Sequence, residues 1–258
     1  MAAEAPTPRL PALPPGFRLV ARDAVASTMD EARRLAEAGA EDRTLVWAEQ
    51  QLGGRGRRGR AWVSPPGNLY SSLLLRPGNL APSHGTELSF LTAVAVAEAA
   101  AELVPASCRV ACKWPNDVLI DGAKCAGILL ESQSGPDGLI RWVVIGVGIN
   151  VMSAPEAVEY PVTSLAAAGA RADVAIVLAA YVGRLAAWLA RWQAEGFAPL
   201  REAWLGRAAG LGRPVRVRLD GREIEGVFES LDDAGALVVA KADGSRERIL
   251  AGDVFPAL

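Results

Sequence analysis

The chain has 258 residues, 51% of them hydrophobic, and 27 basic against 29 acidic side chains give it a formal charge of −2 at pH 7. This balance predicts one large globular domain, alone or with a small companion, and argues against a protein held to nucleic acid by overall charge. The apolar run 88–103 carries Glu98 and Glu102, so it favours a buried helix over a membrane span.

Residues 1–16 contain five prolines and no basic start followed by an apolar stretch, which excludes a secretory signal and favours an extended or disordered leader. We therefore expect a cytoplasmic protein. The three cysteines are an odd number without an export signal, so reduced thiols are favoured over disulfides or a metal site. His84, the only histidine, has no serine or cysteine motif to partner it.

The first half of the chain predicts strands at 17–22, 44–49 and 69–75, with a helix from about 27 to 38. Thr28 and Glu31 have the spacing of a capping box at the start of that helix. The second strand runs directly into a glycine-rich and arginine-rich segment, and the third strand leaves it. This segment is therefore predicted to join two strands near the edge of a sheet.

The connecting segment reads Gly-Arg-Gly-Arg-Arg-Gly-Arg at 54–60, inside a window, 50–86, that has no aspartate or glutamate. Glycines let backbone N–H groups approach a ligand closely, and guanidinium groups offer paired donors suited to carboxylate or phosphate. The pattern predicts a loop that clamps a small anion.

The second half predicts a buried helix and then a series of strands. These are a short strand at 109–113, a hairpin of 118–120 with 124–131, a strand at 139–147, and a helix at 174–192. From about residue 211, short β-type runs alternate with glycine turns, as is typical of a small barrel. The domain boundary is predicted near 209–212.

Three further segments combine glycine, charge and polar side chains: 27–29, 113–124 and 146–150. The most specific is Lys113 to Asp117, which reads Lys-Trp-Pro-Asn-Asp. Taken singly, the segments have plainer interpretations. Ser27 and Thr28 more commonly cap a helix, and the Gly-x-Gly at 146–148 lacks the third glycine of a dinucleotide-binding motif.

Together these segments resemble biotin protein ligases, in which they occur in this order and at about these separations, and the resemblance spans the chain from Ser27 onward. It implies an α/β (α+β) fold, with a catalytic domain built on a mixed β-sheet flanked by helices and a small C-terminal SH3-like β-barrel. The implied domains are the leader at 1–16, the catalytic domain at 17–209 and the barrel at 210–258.

The resemblance implies an ATP-dependent ligase that forms biotinyl-5'-AMP and then transfers biotin to a lysine of a biotin carboxyl carrier protein of acetyl-CoA carboxylase. Mg²⁺ is implied with ATP, near Asp117, with no metal site fixed by the protein alone. The implied catalytic residues are Lys124 and Arg57. The implied biotin-binding residues are Ser27, Thr28, Gln51, Arg55, Gly56, Arg57, Lys124 and Gly127. The implied ATP-binding residues are Arg57, Arg58, Trp62, Asn116, Asp117, Lys124 and Asn150.

One position departs from the family pattern, because Met29 stands where asparagine usually follows Ser-Thr. This predicts altered affinity at one corner of the pocket. The short segment before residue 20 leaves no room for a helix-turn-helix, so no repressor activity and no DNA partner are expected. Because the run 88–103 is shorter and more polar than a membrane span requires, no membrane partner is expected either. A homodimer is compatible with the resemblance.

Three alternatives stay open at this stage. A nucleic-acid-binding module is suggested by the mixture of arginine and glycine, although the pI of about 5.6 argues against it. Lipoate ligases share the chemistry but typically lack this form of the loop. A catalytically silent scaffold would not need Lys124 or the Lys113 to Asp117 motif.

Overall fold

A computed structural model describes residues 12–156 and 160–256, so the predicted leader lies largely outside the described residues. The main part is a seven-stranded sheet in the order β1-β2-β3-β7-β6-β5-β4, in which only β1 and β2 run parallel. Its strands are β1 (Arg18–Val25), β2 (Thr44–Gln51), β3 (Leu69–Leu75), β4 (Val110–Lys113), β5 (Asp117–Ile120), β6 (Ala123–Ser134) and β7 (Ile140–Ile149).

Helices cover both faces of this sheet. They are α1 (Thr28–Glu37), α2 (Glu87–Leu103), α3 (Val174–Glu195) and α4 (Phe197–Leu205). Along β2 the side chains alternate, so Leu45 and Trp47 pack with α2 and α3 while Val46 packs with α1 on the opposite face. The mixed sheet between helices confirms the expected fold class.

Helix α3 is long and apolar enough to cross a membrane by length and composition alone. Its apolar side is already used in the core, because Leu178, Tyr181, Val182 and Leu185 are fully buried. The helix packs against α2, α4 and β3. We therefore describe α3 as a core helix, as its 3.6-residue spacing predicts.

The predicted capping box at the start of α1 is wrong. The N-cap is Ser27, whose Oγ accepts a hydrogen bond from the N–H of Met29. Thr28 is already the first helical residue, and its hydroxyl points to Gln51 instead. The carboxylate of Glu31 pairs with Arg22 and Arg34 and does not reach back to the helix start.

The C-terminal part is a five-stranded antiparallel sheet in the order β11-β10-β9-β8-β12. Its strands are β8 (Pro214–Leu219), β9 (Arg222–Leu231), β10 (Leu237–Ala240), β11 (Arg246–Ile249) and β12 (Asp253–Pro256). This confirms a small antiparallel β-domain after the seven-stranded sheet. Sequence reasoning did not predict α4 or β12, the first interrupted by Pro199 and the second only four residues long.

The C-terminal domain contacts the domain of the seven-stranded sheet at specific points. The indole Nε1 of Trp114, in the turn between β4 and β5, donates to the carbonyl oxygen of Gly235, 3.3 Å away. Gly235 lies so close to Phe90 of α2 that a Cβ there would come within 2.5 Å of its ring. The linker after α4 also pairs with β4, through Cys112 N–H to the Arg207 oxygen and Ala209 N–H to the Cys112 oxygen.

Candidate active site

A cavity of about 750 Å³, counting its open mouth, lies at the meeting point of several elements. They are the start of α1, the loop between β2 and β3, the β4–β5 turn, strands β6 and β7, and β12. Eleven of the thirteen residues predicted for the site line the cavity: Ser27, Thr28, Gln51, Arg55, Gly56, Arg57, Trp62, Asn116, Asp117, Lys124 and Gly127. Arg58 and Asn150 do not.

One end of the cavity is a connected polar network. The Oε1 of Gln51 accepts hydrogen bonds from the N–H of Thr28 at 2.8 Å and from its Oγ1 at 3.0 Å. Ser72 Oγ donates to Thr28 Oγ1 at 2.9 Å, and Gln51 Nε2 donates to Ser64 Oγ at 3.0 Å. Because these partners fix the orientation of the Gln51 amide, this end presents donors and acceptors to a polar ligand group in a set geometry.

Met29 lies beside this network, buried on the first turn of α1. Its Sδ would be 2.5 Å from a Cβ on Gly146, so the thioether packs directly on the backbone of β7. Met29 therefore forms an apolar wall of the cavity at the position where the resemblance leads one to expect an asparagine.

The loop between β2 and β3 is a closed hairpin-like structure. Its backbone hydrogen bonds join Gln51 N–H to the Ser64 oxygen, Trp62 N–H to the Gly54 oxygen, and Gly56 N–H to the Arg60 oxygen at 2.7 Å. We call residues 51–64 the arginine loop. Two residues at its tip, Arg58 at φ 56° and Gly59 at φ 72°, have a left-handed backbone and permit the tight reversal.

Three of the four arginines in this loop have carboxylate partners. Arg55 Nη2 lies 2.6 Å from Asp30 Oδ1 and 3.4 Å from Glu131 Oε1. Arg60 pairs closely with Asp253 of the C-terminal domain. Arg58 lies 3.3 Å from Asp220 and 3.6 Å from Asp253, with its guanidinium turned to that domain and away from the cavity lining.

Arg57 is the exception. Among the described residues, no carboxylate oxygen lies within 4.0 Å of its guanidinium, and its Nη1 donates to Asn116 Oδ1 at 3.2 Å. The Asn116 amide is itself fixed, because its Nδ2 donates to the Ile128 oxygen at 2.7 Å. Burial lowers the pKa of Arg57, although the group stays charged at neutral pH. A charged, partly buried guanidinium aimed into a cavity is suited to binding an anion.

Lys124 on β6 occupies the centre of the cavity. Its Nζ lies 2.8 Å from Asp117 Oδ1, and the two side chains are only 16% and 18% exposed. The ammonium also lies 5.3 Å from the ring centre of Trp62 and 5.5 Å from that of Tyr160. The lysine is therefore enclosed by one carboxylate and two aromatic rings, so its charge is only weakly screened by water.

Two glycines form a flat surface under Trp62. Gly127 and Gly148 are directly paired across β6 and β7. A Cβ at Gly148 would lie 2.5 Å from the indole, and one at Gly127 would lie 3.0 Å from it. Neither position needs a left-handed backbone, so glycine is required here for space alone. The indole Nε1 of Trp62 is buried without a hydrogen-bond partner among the described residues.

Asn150 lies at a second, smaller cavity that shares Trp62, Lys124 and Tyr160 with the first. Its Nδ2 donates to the Thr163 oxygen at 3.0 Å, and its backbone N–H to the Cys125 oxygen at 2.8 Å. The structure thus places Asn150 next to the main cavity, behind the Trp62 indole.

Among the polar and aromatic side chains that line the cavity, the sequence-based prediction left out three: Arg60, Tyr160 and Asp253. No local pattern marks Tyr160 or Asp253, because the fold brings both from distant parts of the chain. Lys113, whose role the sequence left open, is largely buried, and burial lowers its pKa. Its Nζ lies 5.4 Å from the ring centre of Phe255 in the C-terminal domain.

The described residues contain no cluster of three or more His, Cys, Asp or Glu side chains that could hold a metal ion alone. Asp117 and Asp253 are the two carboxylates of the cavity, and Asp117 is paired with Lys124. Such a donor set fits Mg²⁺ only when the ion is carried by substrate phosphates, which is how Mg²⁺ commonly binds.

Family models match two parts of the chain. Residues 22–150 match the biotin/lipoate A/B protein ligase family, and residues 210–255 match the biotin protein ligase C-terminal domain. The first match covers the seven-stranded sheet except the first four residues of β1, and the second covers the C-terminal sheet except Pro256.

Individual proteins are similar over most of the chain. Biotin--[acetyl-CoA-carboxylase] ligase of Paracoccus denitrificans is 43% identical over 237 residues, covering 89% of this chain and 96% of that protein. Bifunctional ligase/repressor BirA of Bacillus subtilis (strain 168) is 35% identical, with coverage of 93% and 74%. The structure of biotin protein ligase from Aquifex aeolicus in complex with biotin and ATP aligns with a TM-score of 0.77 and 29% identity, covering 92% of this chain and 97% of that one.

Proposed function

This chain belongs to the biotin protein ligase family and is a ligase, and we propose that it joins biotin to a lysine of a biotin carboxyl carrier protein in two steps. In the first step the biotin carboxylate attacks the α-phosphorus of ATP, giving biotinyl-5'-AMP and pyrophosphate. In the second, the lysine amine attacks the acyl carbon and AMP leaves. The observation that carries this proposal is the single cavity in which the Thr28 and Gln51 network, Arg57 and Lys124 meet.

The first step brings two anions together, so it requires cations that offset their repulsion. Arg57 supports this role because it is the arginine of the loop that has no carboxylate partner among the described residues. Lys124 supports it because its ammonium is partly buried at the cavity centre, where electrostatic interactions are strong. We assign both residues to the stabilisation of charge on the reacting carboxylate and phosphate.

The polar end of the cavity is suited to the ureido group of biotin. That group has both donors and an acceptor, and Ser27, Thr28 and Gln51 supply hydroxyl and amide groups held by their own hydrogen bonds. Because Met29 lies beside them, we propose that its thioether contacts biotin through packing, at the position where the resemblance leads one to expect an asparagine amide.

The glycine surface under Trp62 supports a place for the nucleotide. Adenine is flat, and an indole lying on Gly127 and Gly148 offers a face for stacking. We propose that Trp62 binds adenine, with Asn116, Asp117 and Asn150 nearby and Arg58 reaching the phosphates after a change of partner. Mg²⁺ would bind with ATP, beside Asp117, and would neutralise phosphate charge.

The second step requires a protein substrate whose lysine reaches the cavity mouth. The similar protein of Paracoccus denitrificans is named for acetyl-CoA carboxylase, which supports a biotin carboxyl carrier domain as the acceptor. A homodimer, a cytoplasmic location and the lack of repressor activity stay predictions.

The proposal is tested by pyrophosphate release without any carrier protein. The purified chain is supplied with ATP, Mg²⁺ and one acid at a time: biotin, lipoate or octanoate. Release with biotin alone supports both the adenylating step and the substrate class. Release with lipoate or octanoate instead would reassign the chain to the related ligases, and no release with any acid would contradict the proposed first step.

A further inference from the structure

The tip of the arginine loop is tied to the C-terminal domain through one aspartate. Asp253 pairs with Arg60 through its Oδ2, and the same oxygen lies 3.6 Å from Arg58 Nη1. Asp220 adds a weaker contact to Arg58, because its side chain is 94% exposed. The Asp253 side chain is only 21% exposed and forms part of the cavity wall.

The position of Asp253 is itself well defined. It is the first residue of β12, where it pairs in register with Arg218 of β8. The domain that carries it is held by the hydrogen bond from Trp114 to Gly235 and by the close contact of Gly235 with Phe90. Asp253 is therefore a fixed point to which a glycine-rich loop is attached.

We propose that Asp253 is a positioning residue. It holds Arg58 and Arg60 at the tip of the arginine loop, and this keeps the Arg57 side chain facing the cavity. The inference rests on the proposed function for its catalytic consequence. The other side of the loop is held in the same way, by Asp30 and Glu131 on Arg55. In the sequence, Arg57 therefore lies between arginines that form ion pairs on either side of it.

The physical reason is the flexibility of the loop. Gly54, Gly56 and Gly59 give the segment many accessible backbone states, so an ordered conformation costs conformational entropy. Ion pairs to a rigid partner offset part of that cost. Without them, the guanidinium of Arg57 would sample positions away from the cavity, and a reactive acyl-adenylate would be shielded less well.

The same geometry has a rival interpretation. A carboxylate among arginines resembles the phosphate that those arginines would bind, so Asp253 could compete with ATP. The two interpretations predict opposite effects of Asp253→Asn. Loss of an anchor raises the KM for ATP and lets adenylate escape, whereas loss of a competitor lowers the KM for ATP and leaves the loop as ordered as before.

The test compares full-length wild type with Asp253→Asn and with Asp233→Asn, a control that removes the same charge from an exposed turn of the same domain. Amide hydrogen exchange is measured over 54–62, where the N–H groups of Gly56 and Trp62 are protected by hydrogen bonds within the loop. Asp253→Asn should speed exchange there by about 3- to 10-fold, the range expected for the loss of partly exposed ion pairs, and Asp233→Asn should not.

The second measurement is the escape of adenylate. Each variant is incubated with biotin, ATP and Mg²⁺ in the presence of serum albumin, and biotinylated albumin lysines are counted. Asp253→Asn should label albumin several-fold more than wild type and should raise the KM for ATP. Arg60→Gln should reproduce both effects from the loop side, and the double variant should exceed neither single variant by much, because both remove one interaction.

The outcomes separate the two proposals. If wild type makes no adenylate, the proposed function fails, but hydrogen exchange still decides whether Asp253 anchors the loop. Unchanged exchange in Asp253→Asn with wild-type albumin labelling overturns the anchor, and so does a lower KM for ATP with unchanged exchange. If Asp253→Asn lowers the melting temperature, hydrogen exchange and albumin labelling of Arg60→Gln are compared with those of wild type instead.

Discussion

Substitution of Lys124 by alanine tests the proposed catalytic role of this residue separately from its structural role. The ammonium lies 2.8 Å from the Asp117 carboxylate, and both side chains are less than one fifth exposed. Breaking a fully buried ion pair costs roughly 3 to 5 kcal/mol, because the remaining charge is left unpaired. Since this pair lines an open cavity that admits water, we expect Lys124→Ala to lower the free energy of unfolding by about 1 to 3 kcal/mol.

A loss of that size corresponds to a melting temperature about 2 to 12 °C lower for a chain of this length. The effect on chemistry should be larger. Removing a preorganised cation from a transition-state site typically costs about 100- to 1000-fold in kcat, so adenylation should slow by that factor. Biotin affinity should change by less than about 10-fold, because the polar end of the cavity does not depend on Lys124.

The assay combines thermal unfolding, biotin titration and single-turnover pyrophosphate release. Lys241→Ala is the matched control, since Lys241 pairs with Glu247 on the C-terminal sheet away from the cavity, and we expect it to change stability by less than about 0.5 kcal/mol. Adding Asp117→Asn to Lys124→Ala should recover part of the lost stability, because it removes the unpaired charge. An unchanged melting temperature would refute the burial argument, and equal losses in biotin affinity and adenylation would reassign Lys124 to binding alone.

Three further predictions follow from other parts of the site. Arg57→Gly should release biotinyl-adenylate and biotinylate bystander lysines. Arg57→Ala should do so less, because alanine keeps the backbone stiffer than glycine does. If mass spectrometry finds the same labelled lysines as with wild type, the loop does not shield the adenylate. Gly148→Ala should raise the KM for ATP by about 10-fold or more while biotin affinity stays near wild type, because the added Cβ displaces the Trp62 indole; an unaltered KM for ATP would separate Trp62 from adenine. Burial raises the pKa of the Cys112 and Cys125 thiols from 9.0 to about 12, so both thiols should resist iodoacetamide at pH 8 in the folded protein. The stability that these protonated thiols contribute should be fully present below pH 9 and should decline as the pH rises towards 12. Fast alkylation of the folded protein would contradict this prediction.

The sequence predicted the elements whose causes are local. The alternation of β2 and the helical spacing of α3 each reflect one buried face, and the glycine and arginine pattern marked the loop near the sheet edge. Helix α4 was not predicted, because Gly196 and Pro199 interrupt the helical spacing of its apolar residues. The capping prediction failed because the Thr28 hydroxyl has a partner in Gln51, 23 residues away, that no local spacing reveals.

Most of the predicted site residues line one cavity, but their partners could not be read from the sequence. The carboxylate that pairs with Arg60 comes from Asp253, 193 residues later in the chain. Trp114 lies in the most specific motif, yet its indole packs against the C-terminal domain instead of lining the cavity. Such roles depend on how the two domains meet, and neither composition nor periodicity carries that information.

The close contact of Gly235 with Phe90 limits how this protein can be recombined with its relatives. In a chimera that takes its C-terminal domain from another ligase, any side chain larger than hydrogen at position 235 would clash with the Phe90 ring and displace the transplanted domain. The Trp114 hydrogen bond would then be lost as well. Domain exchange in this family should therefore be planned around the turn at 232–235, with Phe90 and Trp114 transferred together with the donor domain.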